Sequence, residues 1–523
     1  MLVNLLIVFL IAITYFSWHA FFQAAKNPNL IYLPFENFLF TNTIDESHHL
    51  FNKAWYILTD FSFKVISSTK IINEISMWVF VVLTGLCFIQ ILSCHEWLSY
   101  KSKKNSFKEL SSFFKKFSIS ISTKNNIFNL EFKNITKISF CLVTIFIFLI
   151  PNDSSDIFGY IARGAQQVFF EQNPYQNTIT QIDNWQSFSL LSNINPIWAQ
   201  NPSPYGPLFM GLCALIAFVS MGNLTIAVLA FKLFNLAIFV CLLITITKIL
   251  NNKKLNETIF LKRHKEQRQL YSYKKIIYSL IALNPFIMVE VFWNAHNDLL
   301  MGFLILLAVY NCFIKKANSA FIFLTISVLC KYLSIILLPF FIIYLRQDKA
   351  IKFPLLGSLT SFSLILGSWF IYQPLGAQVT QISNNALLCH KSLLRLLNTV
   401  YKVFSKTNLP NYSSLIMLSL FAIVIIYLYF IFSITDKNNF INFCFISLFL
   451  LIFVFSAKFH SWYFLMLVPV GALILPRLIF LLSLSHLLSL TFLDQANAIN
   501  FILLTFIPCL LYIKLYLEKD LSS

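Results

Sequence analysis

The chain has 523 residues, of which 58% are hydrophobic and 11% charged, with a mean hydropathy of +0.73. Soluble domains carry about 25% charged residues, and apolar runs near the ~20 residues that cross a bilayer recur along the whole sequence, so a soluble globular protein is excluded. The net charge of +18 does not imply nucleic acid, because the cations gather in two inter-span loops, Lys101 to Lys133 and Lys253 to Lys275, where they mark cytoplasmic loops and meet anionic lipid headgroups.

In chain order, Met1 to about Phe22 is an apolar run without a signal-peptidase-like site and is predicted to stay as a span. A polar stretch follows with Asp45, Glu46, His48 and His49; adjacent histidines point apart on a helix and are poor co-ligands. A second span covers about Ser76 to Cys94, and the Lys-rich loop leads to a third, Ile138 to Ile150. The polar stretch Asn152 to Pro207 comes next. Leu208 to Met221 is apolar but is predicted to be re-entrant or interfacial, since a crossing there would put the basic loop at Asn251 to Lys275 on the wrong side. Leu224 to Leu250 is the true crossing.

Further spans are expected at Ile276 to Phe292, Leu299 to Ile314, Ser319 to Cys330, Tyr332 to Leu345 and Phe353 to Tyr372. A second long outer loop, Gln373 to Asn411, precedes a return ending near Asp436. Phe440 to Phe455, Trp462 to Leu475 and two last spans flanking Asp494 complete an all-α polytopic bundle of about 12 to 14 crossings. Three parts are expected: a two-span region with its basic loop at 1–137, a core at 138–346, and a C-terminal membrane region at 347–523. The ten cysteines fall mostly in apolar runs and show no CxxC or CxxH spacing, so a structural zinc site is not expected.

The stretch Asn152 to Pro207 is too long and too aromatic for a mere connection. It carries Asp153, Asp156, Glu171 and Asp183 with Arg163 as its one cation, and the turn-forming pieces Asn173-Pro174-Tyr175 and Pro204-Tyr205-Gly206-Pro207. In the expected topology Asp153, Asp156, Arg163, Glu171, His296, Asp298, Lys331, Lys458 and His460 all lie at the outer face. Ionisable groups there are costly and usually functional, although each has a plainer role: Lys331 can snorkel, and Asp298 can cap a helix. A carboxylate can take a proton from a hydroxyl nucleophile. Lysine and arginine can hold a phosphate leaving group. Tyr160, Tyr175, Trp185, Trp198, Tyr205 and Trp293 suit a site that meets both sugar and lipid, or equally an interfacial aromatic belt. Asp153 and Asp156 could share a divalent cation, but two carboxylates are too few to require one.

Taken in order, Asp156-Ile157-Phe158-Gly159-Tyr160, Gly164, Asn173-Pro174-Tyr175, Pro204-Tyr205-Gly206-Pro207-Leu208, Asn284-Pro285, His296-Asn297-Asp298 and Lys331-Tyr332 resemble the GT-C superfamily of integral-membrane glycosyltransferases. The nearest branch is that of the polyprenol-phosphate-mannose-dependent alpha-(1→6)-mannosyltransferases. The likeness runs from roughly Ile138 to Leu345, with weaker agreement at His460-Ser461-Trp462-Tyr463. It implies a GT-C bundle with interfacial helices in the large outer loop, and an inverting transfer of a hexose, mannose first among them. The donor would be a polyprenyl-phosphate sugar and the acceptor a lipid-linked or glycan hydroxyl, at the outer face of a bacterial inner membrane. Asp156, with Asp153 beside it, would serve the acceptor. Lys331, with Arg163, would meet the donor phosphate. Tyr160, Tyr175, Tyr205, His296, Asn297, Asp298 and His460 would line the cavity. The N-terminal part and the loop Gln373 to Asn411 match nothing in the family. Two other classes stay open at this level: a lipid or glycan transporter, and an outer-face glycan polymerase or ligase.

Overall fold

A computed structural model describes residues 132–148, 151, 156–252, 255, 267–347, 354–373, 393–406, 413–431, 437–456, 459–492, 505–510 and 512. The first two expected spans, most of the basic loops, Asp153, Lys458, Asp494 and the middle of the second long loop lie outside these residues. The described elements are helical, with no strand among them. The protein is an all-α membrane bundle.

Helix α1 covers Phe132–Phe148, α2 Asp156–Phe169, α3 Pro207–Val219, α4 Leu224–Asn251 and α5 Gln267–Ala282. After a break come α6, Asp298–Phe313, α7, Ala317–Cys330, α8, Leu338–Gln347, and α9, Leu355–Tyr372. The C-terminal part holds α10, Leu393–Ser405, α11, Ser413–Ile431, α12, Lys437–Phe449, α13, Val468–Ile474, and α14, Pro476–Phe492. Buried apolar side chains form one continuous cluster from Ile135 to Leu487.

Among the described residues four helical segments are long and apolar enough to cross a bilayer: Leu224–Asn251, Tyr273–Trp293, Leu355–Tyr372 and Lys437–Phe455. They divide by position. The apolar part of Tyr273–Trp293 is buried, whereas Leu355–Tyr372 turns Leu356, Phe362 and Phe370 outward, as a lipid-facing helix does. Helix α3 has 13 residues, about 20 Å at 1.5 Å each against a hydrocarbon core of about 30 Å. Pro207 at its first turn needs no amide partner there.

Several expected spans are broken rather than continuous. The run Ile276 to Phe292 stops at Leu283, where Asn284 accepts from the Phe286 amide at 3.0 Å and Pro285 restarts the helix. It then widens into a π-helical segment, Met288–Trp293. The run beginning at Tyr332 opens with a 3-10 segment, Tyr332–Leu337. Phe440 to Phe455 ends in a second π segment, Leu450–Phe455, and the next run begins with a 3-10 segment, Ser461–Met466. Proline and asparagine account for the first break. The others keep apolar composition while changing the hydrogen-bond step, which hydropathy does not register.

Candidate active site

Asp156 is the first residue of α2, and Tyr160 follows one turn later on the same face. The buried face of α2 also carries Gly164, where a Cβ would run into the carbonyl of Cys213 on α3. This close approach sets the helix against α3, and Tyr160 packs edge-on against Tyr205 at 5.1 Å and Phe209 at 4.9 Å between ring centres.

Facing Asp156 is the turn that follows the π segment. Its geometry is unusual at two points. Ala295 has φ 60, a left-handed conformation that costs a non-glycine residue about 1–2 kcal/mol. The His296 amide reaches back to the carbonyl of Glu290 at 2.8 Å. Asn235 of α4 ties the turn down, donating to the carbonyl of Val291 at 3.0 Å and more distantly to that of His296 at 3.5 Å. Asn297 then caps α6 in sequence but not through its side chain. Its Oδ1 instead lies 3.4 Å from the Tyr160 hydroxyl, which donates to it. Asp298 is the first helical residue of α6 rather than its cap.

Lys331 leaves α7 in an extended conformation, φ −160 and ψ 124. Its ammonium donates to Asp298 Oδ1 at 2.6 Å and lies 4.0 Å from the centre of the Tyr463 ring. The backbone just before it is clamped by Gly206, whose amide donates to the carbonyl of Cys330 at 2.9 Å. A Cβ on Gly206 would strike the carbonyl of Leu329. The Pro204-Tyr205-Gly206-Pro207 piece therefore sets where Lys331 emerges.

The imidazole of His296 is the meeting point. Nδ1 lies 3.6 Å from Asp156 Oδ2, and Nε2 lies 3.4 Å from Glu290 Oε2. Its ring stacks on Trp462 at 4.2 Å with 13° between planes, and Trp462 stacks in turn on His460 at 4.4 Å. Burial, and then the nearby Lys331 ammonium, push the imidazole well below its ordinary value, so it is neutral at pH 7. Burial, followed by the neighbouring tyrosine and the Asp156 and Asp298 charges, pushes the Tyr160 phenol far up. Tyr205 is raised by burial first and then by Asp156. Both therefore act as hydrogen-bonding walls and not as proton donors at neutral pH.

Asp156, Tyr160, Tyr205, His296, Asn297, Asp298, Lys331 and His460 thus lie around one place. Two residues do not join them. Arg163 is buried and turned into the loop: its guanidinium donates to Gln166 Oε1 at 2.9 Å and to the carbonyls of Asn177 at 3.5 Å, Trp198 at 3.0 Å and Asn201. Burial lowers it to about 9, which leaves it charged at pH 7. Three loop carbonyls and one side chain of its own helix occupy the fork of donors. Tyr175 is likewise structural, donating to the carbonyl of Tyr205 at 2.6 Å and packing edge-on against Tyr372 at 5.5 Å. Asp153 lies outside the described residues.

Glu290, Trp462 and Tyr463 were not among the expected site residues. Glu290 carries the one charged side chain between Lys275 and Asp298, a signal the sequence did offer. Among the described residues no group of three or more His, Cys, Asp or Glu side chains is placed to hold a metal ion; Asp156 and Glu290 sit at opposite edges of the His296 ring, not around one point.

Residues 119–347 match the MptA_B family model, described as alpha-(1->6)-mannopyranosyltransferase, N-terminal domain. The chain resembles the GT-C mannosyltransferases. The match contains α2, the loop up to Gly206, the His296 turn and Lys331, and it supports a glycosyltransferase enzyme with mannosyl transfer as its general activity. No curated protein and no solved structure matches the chain.

Proposed function

We propose that the protein transfers mannose from a polyprenyl-phosphate donor to a hydroxyl of a lipid-linked or glycan acceptor, with inversion, at the outer face of a bacterial inner membrane. The observation that carries this reading is the convergence of Asp156, His296, the Asp298–Lys331 pair and an aromatic wall from four separated stretches of the chain. In the proposed step the acceptor oxygen bonds to the anomeric carbon while the bond from that carbon to the phosphate oxygen breaks. The electron pair leaves with the phosphate, and the hydroxyl proton passes to Asp156. Lys331, held by Asp298 through one donor, has further N–H groups to offset the charge that grows on the leaving phosphate. Asn297 Nδ2 and Asp298 Oδ2 are buried without a hydrogen-bond partner among the described residues; sugar hydroxyls fit both. Tyr160, Tyr205, Trp462 and Tyr463 offer apolar faces with polar tips, suited to a sugar carried on a lipid.

The test is incubation of membranes holding the chain with radiolabelled polyprenyl-phosphate mannose and a total lipid extract. A new labelled glycolipid is expected, and Asp156→Asn should lower its formation by about 10²–10⁴-fold, the range for loss of a general base, while the protein still inserts. Undiminished transfer in Asp156→Asn would remove the carboxylate from the chemistry. Labelled lipid crossing vesicles with no transfer product would mark a transporter instead.

A further inference from the structure

Glu290 has no role in the step just described, yet it is fully buried within an apolar segment. A carboxylate in that setting is costly, and such groups are kept for function. Its surroundings are organised. Oε2 accepts from Asn294 Nδ2 at 3.1 Å and lies 3.4 Å from His296 Nε2. The π-helical segment brings this about, because the carbonyl of Glu290 takes the amide of His296, six residues on, and so folds the turn back over its own side chain. The opposite edge of the same imidazole faces Asp156 at 3.6 Å. The ring is held by stacking against Trp462 on one side and by the anchoring of its backbone to Asn235. A line of groups results: Asp156, the His296 ring edge to edge, and Glu290.

We infer that Glu290 is a positioning residue for the transfer reaction, fixing the His296 tautomer and so what His296 presents to Asp156. This rests on the proposed function. With Glu290 Oε2, already an acceptor for Asn294, taking the Nε2 hydrogen, the Nδ1 lone pair is directed at Asp156. When Asp156 has taken the acceptor's proton, its O–H points at the Nδ1 lone pair, which accepts it as a hydrogen bond and steadies the neutral carboxyl. The donor's C–O bond has broken by then, with its electron pair on the phosphate, and the glycosidic bond has formed. The proton leaves through Asp156, whose side chain keeps 20% of its surface open. The separations exceed a formed hydrogen bond, as catalytic contacts do before substrate tightens them.

The charged and titratable groups facing the ring are Asp156 from α2, Glu290 from its own segment and Lys331, itself paired with Asp298; His460 stands behind Trp462. The experiment uses the full chain in membranes with labelled polyprenyl-phosphate mannose. Glu290→Gln offers an amide that can donate to Nε2 and reverse the tautomer. Expected are a fall in kcat of about 10²-fold, in line with proton-transfer contributions, a donor KM within about twofold, and a displaced acid limb in the pH profile of kcat. Glu290→Asp should recover part of the rate. Because the effect acts through His296, Glu290→Gln should cost nothing further when added to His296→Gln. Wild-type kcat and pH profile in Glu290→Gln, or losses that multiply in the double variant, would overturn the inference while leaving the transferase reading intact. If Glu290→Gln fails to accumulate in the membrane, Asn294→Leu, which removes the amide holding Oε2, is measured against the same outcomes. A wild-type chain that transfers no mannose overturns the transferase reading and the role of Glu290 with it.

Discussion

Lys331 and Asp298 offer a way to separate a structural role from a chemical one. The ammonium and Oδ1 are 2.6 Å apart, with the Asp298 side chain 1% exposed and that of Lys331 13%. At an effective dielectric of about 20 the direct attraction is about 6 kcal/mol, most of it offset by the cost of taking both charges from water. Lys331→Met removes the cation and leaves a carboxylate alone in the interior, which costs about 3–5 kcal/mol. Adding Asp298→Asn removes the stranded charge, and stability should return to within about 1–2 kcal/mol of the parent. Thermal unfolding of the purified protein in detergent, with labelled mannose transfer on the same samples, reads both quantities. The midpoint should drop in Lys331→Met and recover in the double variant, while transfer stays at least about 10²-fold down in both. A double variant with parental transfer would show that Lys331 serves only to neutralise Asp298 and never meets the donor phosphate. A single variant as stable as the parent would refute the buried-pair reasoning itself.

Other outcomes follow from the same geometry. Gly206→Ala drives a methyl into the Leu329 carbonyl; a loss of about 1–3 kcal/mol is expected, with a rise in donor KM as Lys331 is displaced, and unchanged KM would count against the clamp. Arg163→Lys should leave the loop from 170 to 205 open to limited proteolysis, because one ammonium cannot span the carbonyls of Asn177, Trp198 and Asn201; parental protease resistance would contradict this. His296 is lowered in the folded protein, so below about pH 6.5 the unfolded chain binds a proton that the folded chain refuses, and stability falls as pH falls, by up to about 1.4 kcal/mol per pH unit, down to the depressed folded value. Denaturation midpoints measured between pH 7.5 and 5.5 should show that slope in the parent and lack it in His296→Asn.

Much of this was readable from residue types, and the remainder fails to show for identifiable reasons. Asp156 and Tyr160 share a face because they are one turn apart, and His296, Asn297 and Asp298 are neighbours in sequence; local spacing exposes both sets. The Asp298–Lys331 pair spans 33 residues, and no local pattern encodes it, so the sequence offered only snorkelling or a phosphate contact for Lys331. Arg163 illustrates the limit from the other side: a cation near an acidic loop reads as a phosphate ligand, and its contacts with three loop carbonyls and with Gln166 of its own helix have no local sequence pattern. Glu290 was legible in principle. A lone carboxylate in the run from Ile276 to Trp293 is a functional marker in a membrane helix, but a topology drawn from hydropathy passes over a single charge among apolar residues.

The positions where helices are interrupted are the positions where the candidate site residues gather, and membrane physics gives the reason. Backbone that leaves the helix at membrane depth must be enclosed by protein, since lipid satisfies no amide or carbonyl. The interruption at Met288–Trp293 is enclosed: that whole span is buried, and Asn235 supplies a donor to its carbonyls. The interruption at Lys331 is enclosed by Gly206 and the loop that carries it. The interruption before Ser461–Met466 sends Trp462 and Tyr463 onto His296 and Lys331. Each break costs helix hydrogen bonds, and Ala295 adds backbone strain. Continuous helices of the same composition would be more stable and would point His296, Lys331 and Tyr463 in unrelated directions. That the chain keeps these breaks together, facing one another around a buried imidazole, is what a reaction centre requires and what a bundle built only to span the membrane has no use for.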